Sequence, residues 1–197
     1  HVSTKGAVEL VRQAKKEGVK VTCETCPHYF SLTENAVIGF NTNAKMNPPL
    51  RTDEDVKAVI EALRDGTIDV IATDHAPHHI DEKNCEFDRA LNGIVGFETA
   101  LSLGITHLVK TKVLTFSQLI EKMSLAPSRI LGINKGTLSA GRSADVVIIN
   151  ENASRTIDVE EFSSKSKNSP YQGYILSGTV DCTIVDGNFV VREGILI

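Results

Sequence analysis

The sequence lacks the features that mark several large classes of protein. It has no tryptophan and only 5% aromatic residues, and no apolar run approaches the ~18 residues of a membrane-spanning helix. Its first residues, HVSTKGAVEL, do not have the pattern of a signal peptide. Four cysteines in 197 residues are too few for a disulfide framework, which favours a reduced, cytoplasmic setting. A net charge of −4 argues against a surface that binds nucleic acid.

The first 135 residues alternate helix-like and strand-like segments. Capping residues and glycines delimit two of the helices, one that ends at Gly18 and one that runs from Thr52 or Asp53 to Gly66. Such alternation is typical of parallel βαβ units, so the sequence predicts an α/β fold. The expected strands are 19–23 and 69–73, the further helices are 94–110, 116–123 and 127–131, and a long polar loop covers 75–92.

The last third of the chain has a different pattern, rich in strand formers and glycine. Apolar runs at 144–149 and 180–185 predict two strands, and Asp186-Gly187 predicts a hairpin turn into a third at 188–191. About 60 residues are too few to close a β-sandwich comfortably. We therefore expect residues 136–197 to form the β-rich part of a small β-sandwich domain.

The segment Thr73–His79 carries the strongest chemical signal. An apolar strand runs directly into Asp74, and three histidines follow within five positions. In a (β/α) barrel the catalytic groups follow the C-terminal ends of the strands, and a carboxylate there can bind a metal ion and accept a proton. The alternative is that Asp74 caps a helix while the histidines are solvated. Pro77 and the polar loop that follows weigh against that alternative.

A second loop, Asn47-Pro48-Pro49-Leu50-Arg51, could contribute to a binding site. Its two prolines fix the backbone, which suits a rigid loop that presents Asn47 or Arg51 to a ligand. An asparagine amide both donates and accepts hydrogen bonds, which matches an amide-like or imide-like substrate. The same residues also form an ordinary turn, so this loop alone does not decide between the two interpretations.

The segment Cys23–His28 offers weaker signals. His28 follows a predicted strand, where a lone histidine is more often packed than a ligand. Cys23 and Cys26 have CxxC spacing, but no second pair lies at zinc-ribbon spacing because the other cysteines are isolated. We expect the pair to be incidental.

His1 precedes a helix that Ser3 or Thr4 can cap. This places His1 at a strand end just before a helix, the same kind of position as Asp74. A neutral imidazole there could bind zinc, although taken alone His1 is only a terminal residue.

Together these segments resemble the dihydroorotases, cyclic amidohydrolases of pyrimidine synthesis within the metal-dependent amidohydrolase superfamily. Hydantoinases and allantoinases share the architecture but typically carry SDH where this chain has Thr73-Asp74-His75. The long bacterial form of dihydroorotase is the nearest match. The resembling stretches follow the family order over nearly the whole chain: HVSTKGAVELVRQAKKEGVKVTCETCPHYFSLT, KMNPPLRTDEDVKAVIEALRDGTIDVIATDHAPHHIDEK, NGIVGFETAL and GTLSAGRSADVVIIN.

The resemblance implies roles for individual residues. His1 matches a single-histidine metal ligand, and Asp74 matches a ligand that is also the catalytic acid and base. The implied substrate-binding residues are Asn47, His78, Asn92 and Gly93. The last two belong to a loop that contacts the substrate through its backbone. The triplet Leu91-Asn92-Gly93 departs there from a common Pro-Phe-Gly.

The resemblance also implies a fold and an incomplete site. The family is built on a (β/α)₈ TIM-type barrel of about 250 residues, so we expect residues 1–135 to be its C-terminal half and residues 136–197 to be part of a small composite domain. An HxH pair, a bridging carboxylate and another histidine of the family match segments upstream of this stretch. We therefore expect one or two zinc ions whose other ligands lie in a missing N-terminal half.

The implied reaction interconverts dihydroorotate and N-carbamoyl-L-aspartate, and we expect the isolated chain to be inactive. The expected partners are this small substrate, the N-terminal half, and a second copy or aspartate carbamoyltransferase, with neither nucleic acid nor membrane. One alternative is a hydantoinase or allantoinase. Another is a non-catalytic structural partner of aspartate carbamoyltransferase, although such a protein would usually have lost its metal ligands.

Overall fold

The computed structural model describes all 197 residues as a mixed α/β chain. None of its helices has the length and apolar character needed to cross a membrane. The helices are α1 Lys5–Lys16, α2 Pro27–Ser31, α3 Asp53–Asp65, α4 Ile80–Lys83, α5 Phe97–Gly104, α6 Phe116–Ile120 and α7 Ala126–Leu131. The strands are β1 Glu24–Thr25, β2 Val70–Ile71, β3 Val146–Thr156, β4 Ile175–Val185, β5 Asn188–Arg192 and β6 Ile195–Leu196.

Helices α1 and α3 begin and end where their capping residues predict. The side chain of Thr4 accepts a hydrogen bond from the N–H of Ala7 at 3.1 Å, and Thr52 caps α3 in the same way. Gly66 ends α3 in the left-handed conformation, with φ 83°, which a residue with a Cβ adopts at a cost. Both helices therefore confirm the sequence prediction.

The parallel strands are shorter than predicted, and one of them is displaced. β1 and β2 pair in parallel over two residues each. A parallel bridge between His75, which follows β2, and Ile94 adds a third segment beside them. The prediction of a strand at 19–23 is wrong. Val19 is 53% exposed, and the N–H of Cys23 donates to the Asp69 carboxylate at 2.9 Å. The carbonyl of Cys23 accepts the N–H groups of Asp69 and Val70, so backbone pairing with the neighbouring segment begins only at the end of the predicted strand.

Two helical predictions also change. The predicted helices at 116–123 and 127–131 form one continuous rod, because a π-helical turn at Glu121–Leu125 joins α6 to α7. Proline lacks an N–H and its ring crowds the carbonyl four residues earlier, and a widened turn before Pro127 accommodates both effects. The predicted loop at 75–92 contains one short helix, α4, which starts at a capping box between His79 and Glu82.

The C-terminal part is an antiparallel sheet in the order β3-β4-β5-β6. Asp186 and Gly187 both have positive φ, 48° and 82°, so the predicted hairpin is confirmed. The connection between β3 and β4, residues 157–174, leaves the sheet and packs against the helical part of the chain. Its buried Ile157, Phe162 and Tyr171 belong to the same hydrophobic core as the residues of α3 and α5. A domain division at residue 135 stays a prediction.

Candidate metal and substrate site

Three neighbouring segments bring polar side chains to one edge of the parallel sheet. The N–H of Val2 donates to the carbonyl of Glu24 at 2.9 Å, so the start of the chain lies beside β1, and β1 pairs with β2. Asp74 follows β2 and has a left-handed backbone, φ 49°, which aspartate tolerates better than most residues. His1, Glu24 and Asp74 therefore lie close together although they are distant in sequence.

His1 faces both carboxylates. Its Nδ1 atom lies 2.6 Å from Oε1 of Glu24, and its Nε2 atom lies 3.5 Å from Oδ1 of Asp74. In the neutral tautomer that carries its proton on Nδ1, the ring donates to Glu24. The lone pair on Nε2 then points toward a carboxylate oxygen.

This arrangement fits a metal ion between His1 and Asp74. Two electron-pair donors that face each other repel, and a cation between them removes the repulsion. A carboxylate behind the far ring nitrogen is also the usual support of a metal-bound histidine, which gives Glu24 a role beside His1. Both donors are reachable from solvent, since the side chain of His1 is 36% exposed and that of Asp74 is 28% exposed.

Burial shapes the chemistry of the groups around this edge. It raises the pKa of Asp74, and the nearby charge of Glu24 adds to the effect. Burial also raises the pKa of the Cys26 thiol, whose sulfur lies 3.5 Å from Nδ1 of His1, so Cys26 stays protonated. His28 is buried and neutral, because burial lowers its pKa to about 3.

Cys26 and His28, which the sequence analysis set aside, lie beside Asp74. One atom from each of the three side chains lies within 4.8 Å of the others, a spacing that could hold a metal ion. The Nε2 atom of His28 has no hydrogen-bond partner. The CxxC spacing was a poor guide to this environment, because Cys26 contacts the edge of the sheet whereas Cys23 bonds to the carbonyl of Thr67.

The protein has a groove of about 700 Å³. Asn47 and Asn92 both line it, together with Lys45, Pro49 and Phe87. His1, Asp74 and His78 do not line it. The structure thus brings Asn47 and Asn92 together in the groove, and it brings His1 and Asp74 together at the sheet edge. The roles of these residues stay predictions.

His78 connects two loops, one at residues 75–79 and one at residues 91–93. Its Nε2 atom lies 2.9 Å from the carbonyl oxygen of Asn92, and its Nδ1 atom lies 3.5 Å from the Glu82 carboxylate. The N–H of Asn92 makes no hydrogen bond within the protein. The backbone of this loop therefore keeps one donor available to a ligand.

Gly93 is fixed by contacts inside the protein. Its N–H donates to the carbonyl of Lys45 at 2.8 Å, and its carbonyl accepts from Lys83 and Asn168. Its φ is +115°, and an added Cβ would lie 2.5 Å from the Cβ of Ala76. Only glycine fits this close approach of two loops.

Sequence reasoning missed four residues that shape the site. Glu24 directly follows the apolar run at 19–23 and could have been identified by the argument that identified Asp74. His75 accepts the N–H of Gly96 at 3.0 Å and stacks on Phe97 with ring centres 3.9 Å apart. The remaining two, Lys83 and Asn168, carry no sequence signal, because their buried contacts are fixed only by the tertiary fold.

Comparison with known proteins identifies relatives of the chain. The model of the amidohydrolase family matches residues 1–190. The dihydroorotase of Acetivibrio thermocellus is 66% identical over 197 residues, which are 100% of this chain and 46% of that protein. The dihydroorotase of Geobacter metallireducens is 59% identical over 193 residues, 98% of this chain and 45% of that protein. The chain spans about half the length of the curated relatives it matches.

Solved structures with the same fold carry different names. The L-hydantoinase (dihydropyrimidinase) of Arthrobacter aurescens superposes with a TM-score of 0.94 at 33% identity, over 100% of this chain and 45% of the other. The dihydropyrimidinase of Brevibacillus agri NCHU1002 gives the same TM-score at 26% identity and the same coverage. The α/β class and the barrel type predicted from the sequence agree with these neighbours.

Proposed function

The chain belongs to the amidohydrolase family, and we propose that it supplies the C-terminal part of a dihydroorotase. That enzyme interconverts dihydroorotate and N-carbamoyl-L-aspartate by opening and closing a cyclic amide. The observation that carries the proposal is the opposition of His1 and Asp74 at the edge of the parallel sheet, 3.5 Å apart, in a chain 66% identical to a dihydroorotase.

Zinc is the metal we assign to this site. Histidine and carboxylate ligands with open positions suit a catalytic zinc ion, and His1 and Asp74 supply one of each. When bound, zinc lowers the pKa of water and polarises a carbonyl. A catalytic zinc takes about three protein ligands, so further ligands for one or two ions come from the rest of the polypeptide.

Asp74 is the proton carrier of the proposed reaction. Its carboxylate takes a proton from the attacking water and delivers it to the amide nitrogen that leaves. Burial and the charge of Glu24 raise its pKa, which makes it a stronger base. Glu24 orients His1 through the contact at Nδ1.

The groove and its loops bind the substrate in this proposal. The amide of Asn47 and the free N–H of Asn92 are suited to the ring amide and the carboxylate of dihydroorotate. His78 holds the Asn92 carbonyl at 2.9 Å, and Gly93 lets the two loops approach. Residues 1–135 would belong to the barrel and residues 136–197 to the small composite domain. We place the enzyme in the cytoplasm, as a homodimer or with aspartate carbamoyltransferase.

Hydantoin hydrolysis is the second candidate, because the superposed structures are hydantoinases and dihydropyrimidinases. Their identities of 33% and 26% lie well below the 66% of a dihydroorotase relative. The same ring-opening chemistry serves both substrates, so the site alone does not separate them. The sequence identity favours dihydroorotate.

Substrate profiling of the complete zinc-loaded protein tests the proposal. We expect ring closure of N-carbamoyl-L-aspartate and ring opening of dihydroorotate, both abolished by a chelator and restored by zinc. Hydantoin and allantoin should be turned over far more slowly. Faster turnover of hydantoin than of dihydroorotate would show that the protein is a hydantoinase. A metal-loaded protein without any turnover would favour a non-catalytic structural partner of aspartate carbamoyltransferase.

A further inference from the structure

Asn168 is distant in sequence from the residues of the sheet edge. In the fold it lies between the loop at 75–79 and the loop at 91–93. It belongs to the connection between β3 and β4 and is only 5% exposed. Its Oδ1 atom accepts the N–H of His78 at 3.2 Å. Its Nδ2 atom donates to the carbonyls of Ala76 at 2.9 Å and Gly93 at 3.2 Å. One amide therefore uses its acceptor and both donors to join two loops.

Lys83 holds the same loop from another direction. It is 2% exposed, and its Nζ atom donates to the carbonyls of Leu91 at 2.8 Å and Gly93 at 3.0 Å. The burial of this ammonium, with Lys45 nearby, lowers its pKa to about 8. A lysine buried at such a cost and bonded only to carbonyls indicates that the loop conformation depends on it.

The carbonyl of Gly93 is thus shared by two buried donors. On one side of it lies Asn92, whose carbonyl meets the ring of His78. On the other side the chain continues to Ile94, which bridges in parallel to His75. The relative position of His78 and Asn92 therefore depends on the contacts of Asn168 and Lys83 as well as on the contact between the His78 ring and the Asn92 carbonyl.

We propose that Asn168 is a positioning residue, which fixes His78 and the Asn92–Gly93 loop in the geometry that binds substrate. The inference rests on the proposed function, because it deepens the role of the groove in that reaction. Asn168 acts through the loops and touches none of the groups that face the proposed metal.

The geometry separates binding from turnover. Without the amide, the N–H of His78 and the carbonyl of Ala76 lose their partner and the Gly93 carbonyl keeps only Lys83, so the loops must shift to restore the lost hydrogen bonds. His1, Glu24 and Asp74 are held by the pairing of Val2, β1 and β2, which does not involve Asn168. Loss of the amide should therefore weaken substrate binding and leave the proton carrier in place.

Steady-state kinetics of the complete zinc-loaded enzyme test this inference with Asn168→Leu and Asn168→Asp. We expect KM for dihydroorotate to rise by about tenfold, as for other residues that support a site indirectly, while kcat stays nearly constant. Asn152→Leu is the matched control, because Asn152 is exposed on β3 and should leave both parameters unchanged. Lys83→Met should repeat the KM effect if Asn168→Leu does not fold.

An unchanged KM in a folded Asn168→Leu variant, or a loss confined to kcat, would overturn the inference. Hydrogen exchange gives a second readout that needs no activity. The amide of His78 should exchange faster in Asn168→Leu than in Asn168→Asp, which keeps an acceptor for it, and equal protection in both would also overturn the inference. A wild-type enzyme without turnover refutes the proposed function only, because the exchange experiment still reports on the loops.

Discussion

The two sheets of this chain differ in length and in chemistry. β1 and β2 have two residues each and pair in parallel, whereas β3 and β4 have eleven residues each and pair in antiparallel fashion. The two groups of side chains whose spacing could hold a metal ion lie at the edge of the short sheet: His1, Glu24 and Cys26, and Cys26, His28 and Asp74. Parallel strands bring all their C-terminal ends to one edge, so residues from distant segments meet there, however short the strands are.

The longer sheet contributes to the site only through its connection. Residues 157–174 leave β3, pack into the core of the helical part, and return to β4. Asn168 and Tyr171 both belong to this stretch. The short sheet therefore carries the candidate metal-binding side chains. The connection at residues 157–174 from the long sheet packs into the core behind them.

Asp74→Asn in the complete enzyme should have the largest effect. The substitution removes the proposed proton carrier and weakens a proposed metal ligand, so kcat for dihydroorotate should fall by at least about 10²–10⁴-fold, the range for loss of a general acid–base. Steady-state assays in both directions measure it. Asp53→Asn, on the exposed first turn of α3, is the matched control and should retain activity. Turnover near that of the wild type would show that the proton carrier lies elsewhere.

Tyr171→Ala should have the next largest effect, on stability. Tyr171 is fully buried in the core, and its hydroxyl lies 2.8 Å from Oγ of Ser31 on α2. Loss of a large buried aromatic side chain costs about 3–5 kcal/mol of unfolding free energy, which denaturant titration measures. Tyr174→Ala, at a position that is 42% exposed, should cost markedly less. Equal costs would mean that the connection at residues 157–174 does not anchor the two regions to each other.

The sequence predicted the parts of this molecule that local chemistry controls. Caps fixed α1 and α3, Asp186-Gly187 fixed the hairpin, and the apolar run before Asp74 placed that carboxylate at a strand end. What failed depends on partners distant in the chain. The apolar run at 19–23 is not a strand, because the N–H of Val21 bonds to the nearby carbonyl of Val19 and that of Cys23 bonds to the side chain of Asp69. Asn168 bonds to the N–H of His78, 90 positions away, which no local pattern encodes.

His28 provides the smallest effect, a pH dependence of stability in the short-sheet region. Burial lowers its folded-state pKa to about 3 from 6.5, so the unfolded chain binds a proton at His28 that the folded chain excludes. This contribution is fully present above pH 6.5 and is lost as the pH falls toward 3. The slope is at most about 1.4 kcal/mol per pH unit.

Urea unfolding of the wild type and His28→Leu, compared between neutral pH and about pH 5, measures this contribution. The wild type should lose more unfolding free energy on acidification than the variant, because leucine takes up no proton in either state. His79→Gln is the control, since His79 is 70% exposed and its replacement should leave the acid sensitivity of the wild type in place. Identical pH profiles for the wild type and His28→Leu would mean that the His28 side chain is accessible to solvent in the folded protein, contrary to its buried position beside the short sheet.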